Sequence, residues 1–87
     1  MTTLTRPVAE KQIEYTLIDL LRAIAPEADY EALDHTVNLQ EALDIDSFDF
    51  LNFLISLESA MGVSVPEADY GQLVSLQDII AYVVARI

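Results

Sequence analysis

Leu39-Gln40-Glu41-Ala42-Leu43-Asp44-Ile45-Asp46-Ser47-Phe48-Asp49-Phe50-Leu51-Asn52-Phe53-Leu54-Ile55-Ser56-Leu57-Glu58-Ser59-Ala60-Met61-Gly62 is the stretch from which the architecture follows. Asp46 and Ser47 suit a helix start, and Gly62 suits a helix stop, so a helix is predicted from Ser47 to Gly62. At about 100° per residue, Phe50, Phe53, Leu54, Leu57 and Met61 share one arc of core-facing width. Phe48, Leu51 and Ile55 fall on an adjoining arc. A domain this small cannot easily cover both. Either the preceding loop folds over the second arc, or Phe48, Leu51 and Ile55 stay partly exposed as a docking patch or a route to an interior cavity. The second reading is favoured, with Asp46, Asp49 and Glu58 as an acidic rim.

The rest of the chain supplies partners for the first arc. Ile13, Leu17, Leu20, Leu21 and Ile24 recur at helical spacing, which predicts a helix from about Pro7 to Ala25, capped by Thr5 and ended by Pro26. Residues 26–46 read as a long loop, with one helical turn over Asp29–Leu33. Tyr30, Leu33, Val37, Leu39 and Leu43 would anchor it to the core. Pro66 to Tyr70 suits a short helix. Ser75-Leu76-Gln77-Asp78 resembles a capping box, after which Leu76, Ile79, Ile80, Val83 and Ile87 line one face. The expected fold is all-α: a small four-helix bundle of three longer helices and one short helix, with a long loop between the first two. Residues 1–87 are expected to form one monomeric domain, with 1–6 as a flexible N-terminus.

Charge restricts the partners. Fifteen acidic residues face four basic ones, for a net charge of -11. All the acids but Glu10, Glu14 and Asp19 lie between Arg22 and Arg86, where no Lys or Arg occurs. Such a surface repels nucleic acid and anionic membranes and speeds encounter with basic protein patches. No apolar run approaches the length of a membrane span, and the first dozen residues lack a signal-peptide core, so a cytoplasmic location is expected. Cysteine is absent. Any thioester would need a sulfur from a cofactor.

Around Ser47 the sequence resembles the acyl carrier protein family. That family's pattern is a leucine, a glycine, any residue, then Asp-Ser and an apolar residue. Leu43, Asp46, Ser47 and Phe48 fit it, and Asp44 stands where glycine is usual. Val63-Ser64-Val65-Pro66-Glu67-Ala68-Asp69 and Leu76 to Val84 fit the family's later elements, so the likeness spans about residues 8–87. The resemblance implies a 4′-phosphopantetheine arm on Ser47, flanked by Asp46 and Phe48. Coenzyme A would supply the arm, through a Mg²⁺-dependent phosphopantetheinyl transferase. It also implies partner contacts at Phe48, Asp49, Leu51, Ile55 and Glu58, with acyl-activating, condensing or acyl-transferring enzymes that carry basic docking patches. Asn52 and Ser59 depart from the acids of many fatty-acid carriers, which suggests a specialised carrier.

Catalysis by the chain itself is not expected. Ser47 lacks a Gly-x-Ser-x-Gly elbow, and the sole histidine, His35, reads as a surface or loop-packing residue. A calcium loop from Asp44 fails because Asp49 would occupy its glycine position and Ile55 its bidentate glutamate; no metal site is expected. The competing reading is an unmodified helical adaptor that binds a protein through Phe48, Leu51 and Ile55, with Ser47 a plain helix cap.

Overall fold

A computed structural model describes residues 6–87, with side chains from Glu10 onward. Four α-helices and one 3₁₀ helix make up the regular structure, and there is no strand among the described residues. Helix α1 spans Arg6–Arg22, α2 Leu39–Ala42, α3 Ser47–Met61 and α4 Leu76–Val84; the 3₁₀ helix is Glu67–Gln72 and lies between α3 and α4. The class is all-α as expected, with one helix more than predicted. Thr5 lies outside the described residues, as does the expected flexible N-terminus except for Arg6, which is already helical.

Helix α1 ends at Arg22 rather than Ala25. Its last turn tightens: Ala23 N–H bonds the Leu20 carbonyl and Ile24 N–H the Leu21 carbonyl, each three residues back. Pro26 explains the stop, because its ring disfavours a helical residue before it. Ile13, Leu17 and Leu21 are buried, and α1 packs its apolar stripe against both α3 and α4.

The long connection is more structured than expected. No helix forms over Asp29–Leu33. Instead α2 appears at Leu39–Ala42, with the Asn38 side chain accepting the Glu41 N–H. An Asn three residues before a Glu is a recognisable start signal. Leu39, buried completely, pins this turn, and its N–H bonds the Val74 carbonyl at 2.9 Å. Tyr30 is buried and donates to the Ala25 carbonyl at 2.7 Å. Gln77 N–H reaches the His35 carbonyl, and His35 Nε2 faces Glu14 of α1 at 3.4 Å, so His35 does pack the loop.

The later elements shift slightly. The short helix runs from Glu67 to Gln72, with Pro66 just before it. Val63 and Val65 alternate inward around exposed Ser64 and belong to the core, which their short extended segment does not signal in the sequence. Helix α4 begins on the expected Ser75–Asp78 capping box but stops at Val84. Ile87 is therefore exposed rather than part of the buried face, and Tyr82 takes a core place instead. The Asp69 carboxylate accepts the Tyr82 hydroxyl and pushes its pKa above the usual 10.0; desolvation acts the same way and Arg86 opposes both.

One backbone feature resolves the departure at position 44. Asp44 has φ 56°, the left-handed region. It follows the Leu43 cap of α2; its N–H bonds the Glu41 carbonyl and the Ile45 N–H bonds the Gln40 carbonyl. These paired bonds form a Schellman turn, which glycine occupies most cheaply. Asp44 makes the same turn under strain. Asp44→Gly is expected to raise stability by about 0.5–1 kcal/mol, the left-handed penalty less the extra freedom of an unfolded glycine. A thermal melt followed by circular dichroism measures it; a fall in midpoint would contradict the strain.

Candidate functional site

The Schellman turn after α2 delivers the chain to the head of α3. Buried Ile45 fixes the turn to the core. Asp46 follows in extended conformation as the N-cap of α3, and its carboxylate accepts the Asp49 N–H at 2.8 Å. Ser47 is the first helical residue and is exposed. The cap is therefore Asp46, and the hydroxyl of Ser47 is not consumed by helix capping. Its one described side-chain contact is a long 3.5 Å approach from Gln40 Nε2. A nucleophilic role would require an adjacent base; His35 pairs with Glu14 instead.

Backbone groups add to the electrostatics. The Asp49 N–H is taken by the Asp46 side chain and the Phe50 N–H by the Asp46 carbonyl. The N–H groups of Ser47 and Phe48 have no acceptor among the described residues. They stand at the positive end of a fifteen-residue helix, a favourable place for a phosphate. Asp46 and Asp49 oppose that charge.

Beside Ser47 opens a groove of about 290 Å³. Phe50, Leu51 and Leu54 of α3 form one wall, and Tyr70, Gly71, Leu73 and Val74 face them across it. Asn38 and Gln40 close the end near Ser47. The wall of 70–74 carried no local sequence signal, because only the folded path of the 3₁₀ helix brings it to α3. Gln40 was hidden for a different reason: it sits on α2, which the Asn38–Glu41 spacing would have revealed.

The residues singled out around the site divide in two. Ser47 and Leu51 line the groove. Phe48 and Ile55 lie outside it and are exposed at 70% and 50%, while Leu51 is at 36%. The loop does not cover them, whereas Phe50, Phe53, Leu54 and Leu57 are buried as the first arc requires. Asp49 is half-buried. Glu58 is engaged within the fold, where its Oε2 accepts the Val65 N–H at 2.6 Å and ties the exit of α3 to the following segment. Gly62, at φ 66°, ends the helix there. No group of three or more potential metal ligands occurs among the described residues.

Comparison with known proteins gives likenesses of three kinds. The family described as "Phosphopantetheine attachment site" matches residues 16–83. A protein of Lactobacillus acidophilus named acyl carrier protein is 26% identical over 76 residues, covering 87% of this chain and 94% of that protein. A solution structure from Anaplasma phagocytophilum that bears the acyl carrier protein name superposes with a TM-score of 0.70; it is 22% identical and covers 98% of this chain and 94% of that one.

Asp46→Ala is expected to cost about 1 kcal/mol, as loss of an N-cap does. A urea melt followed by helicity measures it, and an unchanged midpoint would mean that another group caps α3.

Proposed function

The chain belongs to the phosphopantetheine attachment site family, and from that premise we propose that Ser47 is its point of attachment. Domains of this family are carriers rather than catalysts, and 4′-phosphopantetheine is their covalently attached group. When bound, it supplies a flexible arm ending in the thiol that this cysteine-free chain lacks. The observation that supports Ser47 is the division of labour at the head of α3. Asp46 caps the helix, so the Ser47 hydroxyl stays exposed and free to be esterified.

The chain's own residues have distinct roles in this reading. The free N–H groups of Ser47 and Phe48 stabilise a phosphodiester at the helix start. Asp46 recruits a basic transferase or its Mg²⁺. The groove between α3 and residues 70–74 gives an acyl chain an apolar surface next to its attachment point. Phe48, Leu51 and Ile55 dock the partner enzymes, with Asp49 at the rim; Glu58, bonded to Val65, contributes through α3's geometry more than through direct contact. Those partners are acyl-activating, condensing or acyl-transferring enzymes of fatty-acid, polyketide or related biosynthesis. A cytoplasmic location fits the acidity, and no helix of the described residues is long and apolar enough to cross a membrane.

Incubation with coenzyme A, Mg²⁺ and a broad-specificity phosphopantetheinyl transferase is expected to add one phosphopantetheine to the chain, read by intact mass. Ser47→Ala should stay unchanged. No gain with several transferases would instead favour the unmodified adaptor, to which the exposure of Phe48 and Ile55 lends weight.

Leu51→Glu and Ile55→Glu are expected to weaken capture of a partner enzyme at least tenfold, about 1.4 kcal/mol, with helicity retained. Titration calorimetry beside a far-ultraviolet spectrum measures both. Extensive unfolding would assign these side chains to the core.

A further inference from the structure

The two long walls of the groove beside Ser47 are built differently. Phe50 and Leu54 are buried side chains of a helix packed on α1. The opposite wall draws Tyr70 and Gly71 from the 3₁₀ helix Glu67–Gln72. That helix buries no residue completely, only Tyr70 among its apolar side chains packs partly against the core, and it has no side-chain cap at its start. Its hydrogen bonding is of the poorer 3₁₀ kind, so it needs an external tie.

Further along the wall, Leu73 is buried and the Val74 carbonyl accepts the Leu39 N–H. The 3₁₀ helix itself has a polar tie, which comes from α4 and the residues just after it. Asp69 accepts the Tyr82 hydroxyl across thirteen residues of sequence. The same carboxylate oxygen lies 3.8 Å from the Arg86 guanidinium. Arg86 stacks over the Tyr82 ring at 3.5 Å and donates to the Tyr82 carbonyl at 3.2 Å. Gln72 Nε2 approaches the other carboxylate oxygen of Asp69 at 3.4 Å. Asp69 directly precedes Tyr70 and Gly71, so its anchorage fixes where those two residues stand.

We propose that the Asp69–Tyr82–Arg86 clasp is a positioning device that sets the width of the groove beside Ser47, and with it the length of acyl chain shielded there. The proposal rests on Ser47 being the attachment point. Tyr82 and Arg86 act through Asp69 and do not line the groove. Releasing the clasp frees the 3₁₀ wall while α3 and α1 keep their own packing. The groove then opens to longer chains.

Amide hydrogen exchange on the full unmodified chain tests the clasp itself. Tyr82→Phe, which removes only the hydroxyl, is expected to speed exchange over residues 67–73 about tenfold or more, as loss of a hydrogen bond to a charged group implies. Exchange in α1 and α3 should change far less, and Asp69→Asn should act on the same residues. An unchanged rate, an increase spread over all helices, or loss of helicity in both variants overturns the proposal. The second measurement uses the chain loaded with acyl-phosphopantetheine groups of graded length. The longest thioester that resists hydroxylamine should be longer in Tyr82→Phe than in the parent. An identical length profile despite faster local exchange overturns the link to the groove. Failure of the parent to gain mass with the transferase removes the attachment reading, and the acyl part of the proposal with it, whatever the exchange shows.

Discussion

Helix α3 carries two apolar arcs, of which the described residues bury one, and the rest of the fold is arranged around that helix. One arc, Phe50, Phe53, Leu54 and Leu57, is buried against α1 and its neighbours. The adjoining arc is left at the surface. Large exposed side chains such as Phe48 are unremarkable singly, but three of them on one helix face form a patch. The groove lies beside this helix, where Leu51 and Leu54 face Tyr70, Gly71, Leu73 and Val74.

The position of Ser47 follows from a second constraint, the way the chain enters α3. The Schellman turn at Leu43–Ile45 reverses the path, Ile45 plugs into the core, and Asp46 takes the capping role. Each device leaves the next residue less choice. Had Ser47 itself been the cap, its oxygen would have been spent on a backbone N–H of α3. With Asp46 one place earlier, the same helix start keeps a hydroxyl at its surface and leaves two backbone donors beside it. Asp44 accepts backbone strain so that this entry is kept without glycine.

The three long helices were legible in the sequence because each has a periodic apolar face and a recognisable cap or stop. Their ends were less so. Pro26 marks the end of α1, but its influence reaches back three residues through a tightened turn. Ile87 fits the α4 pattern, yet the helix is over by Val84. Helix α2 was missed because four residues are too few to show a period, although Asn38 and Glu41 carried the cap signal. Val63 and Val65 were missed because two inward residues in an extended segment resemble a linker. At the candidate site, the exposed arc followed from helical spacing, whereas Ser47 and Asp46 were named through the family resemblance around them. The wall of Tyr70, Gly71 and Leu73 could not be named either way, since its place depends on how the 3₁₀ helix is held against the last helix and the residues that follow it. Glu58 looked like a rim charge on the helical wheel, and only the fold reveals the Val65 N–H above it.

The distribution of charge over this framework separates two roles that surfaces often combine. The net charge of -11 produces a field that reaches roughly 8–10 Å at physiological salt. A field of that range guides approach and says little about what is finally touched. Close to α3 the picture changes. Its only carboxylates are Asp49, half-buried at the first turn, and Glu58, already bonded to Val65. Asn52, Ser56 and Ser59 leave the rest of the exposed helix uncharged, beside Phe48, Leu51 and Ile55. A partner docking on Phe48, Leu51 and Ile55, as proposed, would be steered by the acidic body and meet a mainly apolar face with Asp46 and Asp49 at its edge. In that proposal the contact would depend on salt in its rate of formation more than in its lifetime, because most of the acidic charge lies away from Phe48, Leu51 and Ile55.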